Sequence, residues 1–84
     1  MMTLGQAVRT VELEVERAIK GFPPFRSVHE AEAVIREEMD ELTKAIRADH
    51  ARGRPLDTTY AMRTEATQLA AMAIRFLMET NPTD

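Results

Sequence analysis

The sequence predicts an all-α domain built from three helices. Three observations carry this. Helix breakers occur only at Gly5, Gly21, Pro23, Pro24, Gly53, Pro55 and Pro82, which leaves three uninterrupted stretches. Apolar residues in the first two stretches recur every three or four positions, the spacing of one helix face. No run alternates apolar and polar residues as a half-buried strand does. The helices are expected at about 4–20, 27–52 and 57–80. The chain has 84 residues, one domain's worth, so a single domain over 1–84 is expected.

The first helix carries Leu4, Val8, Val11, Val15, Ala18 and Phe22 on one stripe. Glu12, Glu14, Glu16 and Arg17 are placed off it. Lys20 and Gly21 suit its end: a cation at the negative terminus, then a glycine for a left-handed cap. Phe22-Pro23-Pro24-Phe25 is a stiff connector, because each proline disfavours helix at the residue before it. Both rings are expected to pin the connector to the core. The segment is short for a proline-rich ligand of another protein.

The second helix opens with Ser27-Val28-His29-Glu30, a capping-box spacing. Its stripe is Val28, Ala31, Ile35, Met39, Leu42 and Ile46, and Gly53 follows its end. Arg54-Pro55-Leu56-Asp57 forms the second turn, with Asp57 as an N-cap. The third helix, stopped by Asn81-Pro82, differs in kind. Ala61, Met62, Ala66, Leu69, Ala70, Ala71, Met72, Ala73, Ile74, Phe76, Leu77 and Met78 cover most of its circumference. A helix that is apolar nearly all round is buried on more than one side. Three helices cannot enclose one of their own members, so a homodimer or homotetramer is expected, with the third helix near the interface.

Composition narrows the classes further. Hydrophobic residues make up 44% and charged residues 30%, a globular balance. There is no cysteine and there are two histidines, so neither a disulfide nor a cysteine-type zinc site can staple the fold. The net charge of −3 lacks the basic excess of a nucleic-acid binder. No apolar run approaches the ~20 residues that span a bilayer. The first residues lack the charged and apolar regions of a signal peptide. A cytoplasmic protein that contacts neither nucleic acid nor membrane is expected. Only four residues are aromatic, namely Phe22, Phe25, Tyr60 and Phe76, so the core is aliphatic, with six methionines as adaptable filler.

The informative residues are acidic. At ~100° per residue, Glu30, Glu37 and Lys44 fall opposite the stripe of the second helix. Glu38 falls roughly 60° from the stripe centre, inside the apolar arc, with Glu41 one turn on. On the third helix Glu65 lies about 60° off centre and Gln68 follows one turn on. A carboxylate against apolar surface is costly unless paired, hydrogen-bonded or metal-bound. Helices joined by a short turn pack antiparallel, which can bring the two pairs together. Two readings fit. Clustered carboxylates suit a hard cation with oxygen ligands, most simply Mg²⁺. Alternatively they pair with Arg36, Arg63 or Arg75, since nine of the 11 basic residues are arginine. Lys44 is spaced to pair with Asp40. His29 and His50 read as surface residues.

The spacing also resembles a known pattern. Glu37-Glu38-Met39-Asp40-Glu41-Leu42 resembles the Glu-Glu-x-x-Glu-Leu motif of the MazG-like nucleoside triphosphate pyrophosphohydrolases, an all-α superfamily. Its second motif, Glu-x-x-Asp, is similar to Glu65-x-x-Gln68 within the stretch Arg63 to Phe76. The resemblance covers about 25–80. The related phosphoribosyl-ATP pyrophosphohydrolases match only in the first motif. The resemblance implies a helical fold completed by oligomerisation. It implies hydrolysis of an NTP or dNTP to the monophosphate and pyrophosphate, with Mg²⁺ (or Mn²⁺) held by Glu38, Glu41, Glu65 and Gln68. Glu37 and Glu38 are the implied catalytic carboxylates, and Arg75 is a candidate phosphate contact or else an ion-pair residue. Gln68 departs from the family's aspartate and offers one neutral oxygen where the family has a charged ligand. The expected function is therefore a housecleaning pyrophosphohydrolase, with a weakened nucleotide- or metal-binding module as the alternative.

Overall fold

In a computed structural model the chain forms α1 (Leu4–Gly21), α2 (Val28–Arg52) and α3 (Leu56–Glu79). The structure describes residues 1–52 and 56–80, with side chains for 1–50 and 59–80. Among the described residues there is no strand. The expected roles of Gly53, Arg54, Pro55, the Asp57 side chain, Asn81 and Pro82 lie outside the described residues.

Local signals set the helix ends at Thr3, Gly21 and Ser27. Thr3 caps α1: its hydroxyl accepts from the Gln6 N–H at 3.1 Å, and Gln6 Oε1 accepts from the Thr3 N–H at 2.9 Å. At the other end the expected left-handed glycine cap does not form. Gly21 is the last helical residue, and the chain leaves through extended Phe22 (φ −137°, ψ 144°), whose N–H donates to Ala18 O. The following proline explains this, since it forces Phe22 out of helical conformation. At the start of α2, Ser27 Oγ accepts from the Glu30 N–H at 3.0 Å, as the spacing predicts. The reciprocal arm lands one residue earlier. Glu30 accepts from the Arg26 N–H at 3.1 Å and from Arg26 Nε at 2.7 Å.

α3 is the central element. It packs along α2 and against α1, whereas α1 and α2 do not pack on each other among the described residues. The core is small: Val15 and Ala18 from α1 meet Ala71 and Met72 from α3, with Val11, Phe25, Val34 and Ile35 against them. Ala31 is also fully buried. The stripes therefore bury only in part. Leu4, Val8, Met39 and Ile46 remain exposed, and so do Ile74, Leu77 and Met78 on α3.

The molecule measures 45 × 26 × 21 Å with a radius of gyration of 14.1 Å. A compact chain of this length has about 12 Å. Its accessible surface is 6349 Å². A compact monomer of 9.5 kDa exposes about 5050 Å². Exposed apolar side chains such as Leu4, Val8, Leu77 and Met78 contribute to the excess. Among the described residues, no helix is long and apolar enough to cross a membrane.

Candidate functional site

Because α1 and α2 are held apart by α3, a cleft of about 430 Å³ opens between them. Ala18, Val34 and Met72 give it an apolar floor, and Pro23 and Phe25 wall one end. Glu14 from α1, Glu37 and Glu38 from α2 and Gln68 from α3 stand around it.

Antiparallel packing of α2 on α3 brings the two acidic pairs together. The end of the Gln68 amide lies 3.1 Å from Glu65 Oε2 and 3.2 Å from Glu38 Oε2. Both neighbours are acceptors. With only protein groups present, the amide NH₂ takes that position and donates to both carboxylates. Glu38 and Glu65 are thus bridged across two helices by Gln68. Each is half-buried, in keeping with its angular place inside the apolar arc.

The cluster perturbs its own chemistry. Burial pushes the Glu38 carboxyl above its ordinary value, and the charges of Glu65, Glu41, Glu37 and Glu14 push it the same way. Among the described residues no cation offsets this closely. Glu41, expected as a ligand, sits on the exposed flank and pairs with Lys44 at 3.4 Å. Lys44 therefore takes Glu41, not the expected Asp40. Glu37 is exposed at the rim. Among the described residues, no three acidic or imidazole side chains converge into a ready-made cation cage.

Arg75 lines the far end of the cleft but is only 3% exposed. Its Nε donates to Glu79 Oε2 at 2.6 Å, and one terminal nitrogen donates to Glu79 Oε1 at 3.0 Å and to Pro23 O at 2.8 Å. Its guanidinium lies 4.8 Å above the Phe25 ring centroid. Glu79 Oε1 also accepts from the Phe25 N–H at 2.9 Å. Burial raises the Glu79 carboxyl, but the bonds from Arg75 and Phe25 outweigh it and hold the group below its ordinary value. Arg75 thus anchors the connector to α3 through an ion pair within the chain. Of the other arginines expected as partners, Arg36 pairs with Glu32 on the surface.

Sequence reasoning missed Glu14. Its carboxylate is 17% exposed and is gripped by Arg17 through three hydrogen bonds. The signal was present, because Glu14 follows Val11 by three residues and precedes Ala18 by four. The connector also divides its two rings. Phe25 packs on the core, while Phe22 is 60% exposed. His29 and His50 are exposed, as expected. Compared with known proteins, the chain matches no family model, no curated protein and no solved structure.

Proposed function

We propose that this protein is a MazG-like, Mg²⁺-dependent pyrophosphohydrolase that converts a nucleoside triphosphate to its monophosphate and pyrophosphate. The observation that carries the reading is the meeting of Glu38, Glu65 and the Gln68 amide at one point, from two helices, beside an open cleft. The resemblance of Glu37-Glu38-x-x-Glu41-Leu42 and Glu65-x-x-Gln68 to the two family motifs supports it.

The residues fit a small hard cation. Two carboxylates and an amide oxygen are the hard oxygen donors that such a cation would take. The Gln68 amide end sits at 3.1 and 3.2 Å from the two carboxylate oxygens, so all three groups converge. Rotating the amide by half a turn presents Oε1 in place of the NH₂. Glu38, Glu65 and Gln68 would then hold the cation, and Glu41 would have to give up Lys44 to join them. Such a cation supplies charge neutralisation of phosphoryl oxygens and a more acidic water. Glu37, exposed at the rim and free of the bridge, is the carboxylate placed to accept a proton from water entering the cleft. Arg75 keeps the connector in place; binding phosphate would require it to abandon Glu79 and Pro23.

Gln68 favours one further reading. With a neutral amide in place of aspartate, the same site suits a module that binds metal and nucleotide with little turnover. In either case the active form is a homodimer or homotetramer, supported by the exposed apolar face of Ile74, Leu77 and Met78.

Pyrophosphate release from a panel of NTPs and dNTPs, with Mg²⁺ or Mn²⁺ and with Glu38→Ala as control, tests the proposal. Release that disappears in the control is the expected result. Release that persists in Glu38→Ala removes the site. No release from any nucleotide, with metal still bound, moves the assignment to the binding module.

A further inference from the structure

The cleft has one feature that the acidic cluster leaves unexplained. Phe22 is a large aromatic side chain in its lining, yet it is 60% exposed. Its backbone is fixed. The Phe22 N–H is bonded to Ala18 O at 2.9 Å, and Pro23 and Pro24 follow it. Pro23 is in turn held by Arg75, whose nitrogen bonds its carbonyl at 2.8 Å. The chain therefore presents a flat ring on a stiff support, with little ordering left to lose on binding. Val34 and Met72 line the same cleft, and so do Glu38 and Gln68. Its volume of about 430 Å³ falls in the range of small-molecule sites.

We infer that this cleft is the nucleoside subsite and that Phe22 stacks on the base. The inference rests on the proposed function for the identity of the ligand. The occupant must place phosphates at the Glu38–Gln68 end and a flat apolar group at the Phe22 end. A nucleoside triphosphate has that build. The acidic groups around the cleft repel an uncompensated triphosphate, so phosphates enter only with a cation. The base is uncharged and escapes that penalty. A stacking ring accepts any base, because every base has a π-face. Phe22 therefore sets affinity for nucleotides as a class, and its effect is carried by the base alone.

The test separates the base from the phosphates. Binding of α,β-imido nucleoside triphosphates and of inorganic tripolyphosphate, each with Mg²⁺, is measured by calorimetry for the wild type, Phe22→Ala, Phe22→Leu and Phe22→Trp. Phe22→Ala should weaken nucleotide binding about tenfold and leave tripolyphosphate unchanged. Phe22→Leu keeps apolar area without a flat face and should stay weak, while Phe22→Trp should restore binding. Because Phe22 is exposed, these variants fold. Equal losses for both ligands, or none, overturn the inference. So does a change in oligomeric state on sedimentation without a change in nucleotide affinity, which makes Phe22 a subunit contact. If no nucleotide is hydrolysed yet Phe22→Ala still weakens nucleotide binding selectively, the pyrophosphohydrolase assignment fails and the subsite stands. If nucleotides are hydrolysed and Phe22→Ala is neutral, the reverse holds.

Discussion

Removing Glu79 should destabilise the fold by about 3–5 kcal/mol, the cost of stranding one partner of a buried ion pair. The structure makes the case concrete. Arg75 is 3% exposed, and two of its bonds end on Glu79. In Glu79→Ala its charge stays buried with only Pro23 O and the Phe25 ring for company. The Phe25 N–H loses its acceptor as well. An 84-residue domain has a total stability of about 4–13 kcal/mol, so this variant approaches the unfolding threshold. Urea unfolding followed by far-UV circular dichroism, at one fixed protein concentration, measures the loss. A double variant, Arg75→Met with Glu79→Met, should not recover full stability, because Pro23 O and the Phe25 N–H remain unsatisfied. The pH dependence has a definite sign. The folded Glu79 carboxyl lies below its ordinary value of 4.5. Its contribution is fully present above that value and is lost as pH falls through the depressed one. The gap between wild type and Glu79→Ala should therefore narrow in acid. A loss below about 1 kcal/mol at neutral pH, typical of an exposed pair, would refute the reasoning.

Three further outcomes are expected. Glu38 titrates above its ordinary value of 4.5, so the folded state binds more protons than the unfolded one just above that pH, and stability falls as pH rises through this window. Glu38→Gln should accordingly raise the urea midpoint at pH 7.5 and lose that advantage at pH 4; midpoints that shift equally at both would contradict it. Gln68→Asp should tighten Mg²⁺ binding about tenfold in calorimetry. The same change should cost about 1–3 kcal/mol without cation, because the donor to both glutamates is gone and a like charge is added. Leu77→Asp should drive the protein to monomer in sedimentation, and an unchanged assembly would place the interface elsewhere.

The helices were legible because their signals are local. Breakers bound them and apolar spacing orients them, so α1, α2 and α3 fall within a residue or so of expectation. Two ends differed where a neighbour outside the motif intervened: Pro23 overrides the glycine cap at Gly21, and Arg26 diverts Glu30 from the capping box. The bridge between Glu38, Glu65 and Gln68 was legible in part, since angular position placed all three toward the core. What was not legible depends on segments distant in the chain. Arg75 meets Pro23 across 52 residues, and Glu79 meets Phe25 across 54. No periodicity encodes those contacts. The same holds for the division of labour in the connector, where the Arg75 anchor takes Phe25 and leaves Phe22 in the open.

The central claim is that Glu38, Glu65 and Gln68 hold one divalent cation. Calorimetric titration of the wild type and Glu38→Ala with Mg²⁺, repeated with Mn²⁺, addresses it most directly. Saturable binding to the wild type and none to the variant is the expected result. Equal affinity in both would mean that the two helices meet at a hydrogen-bonded acid cluster and at no metal site.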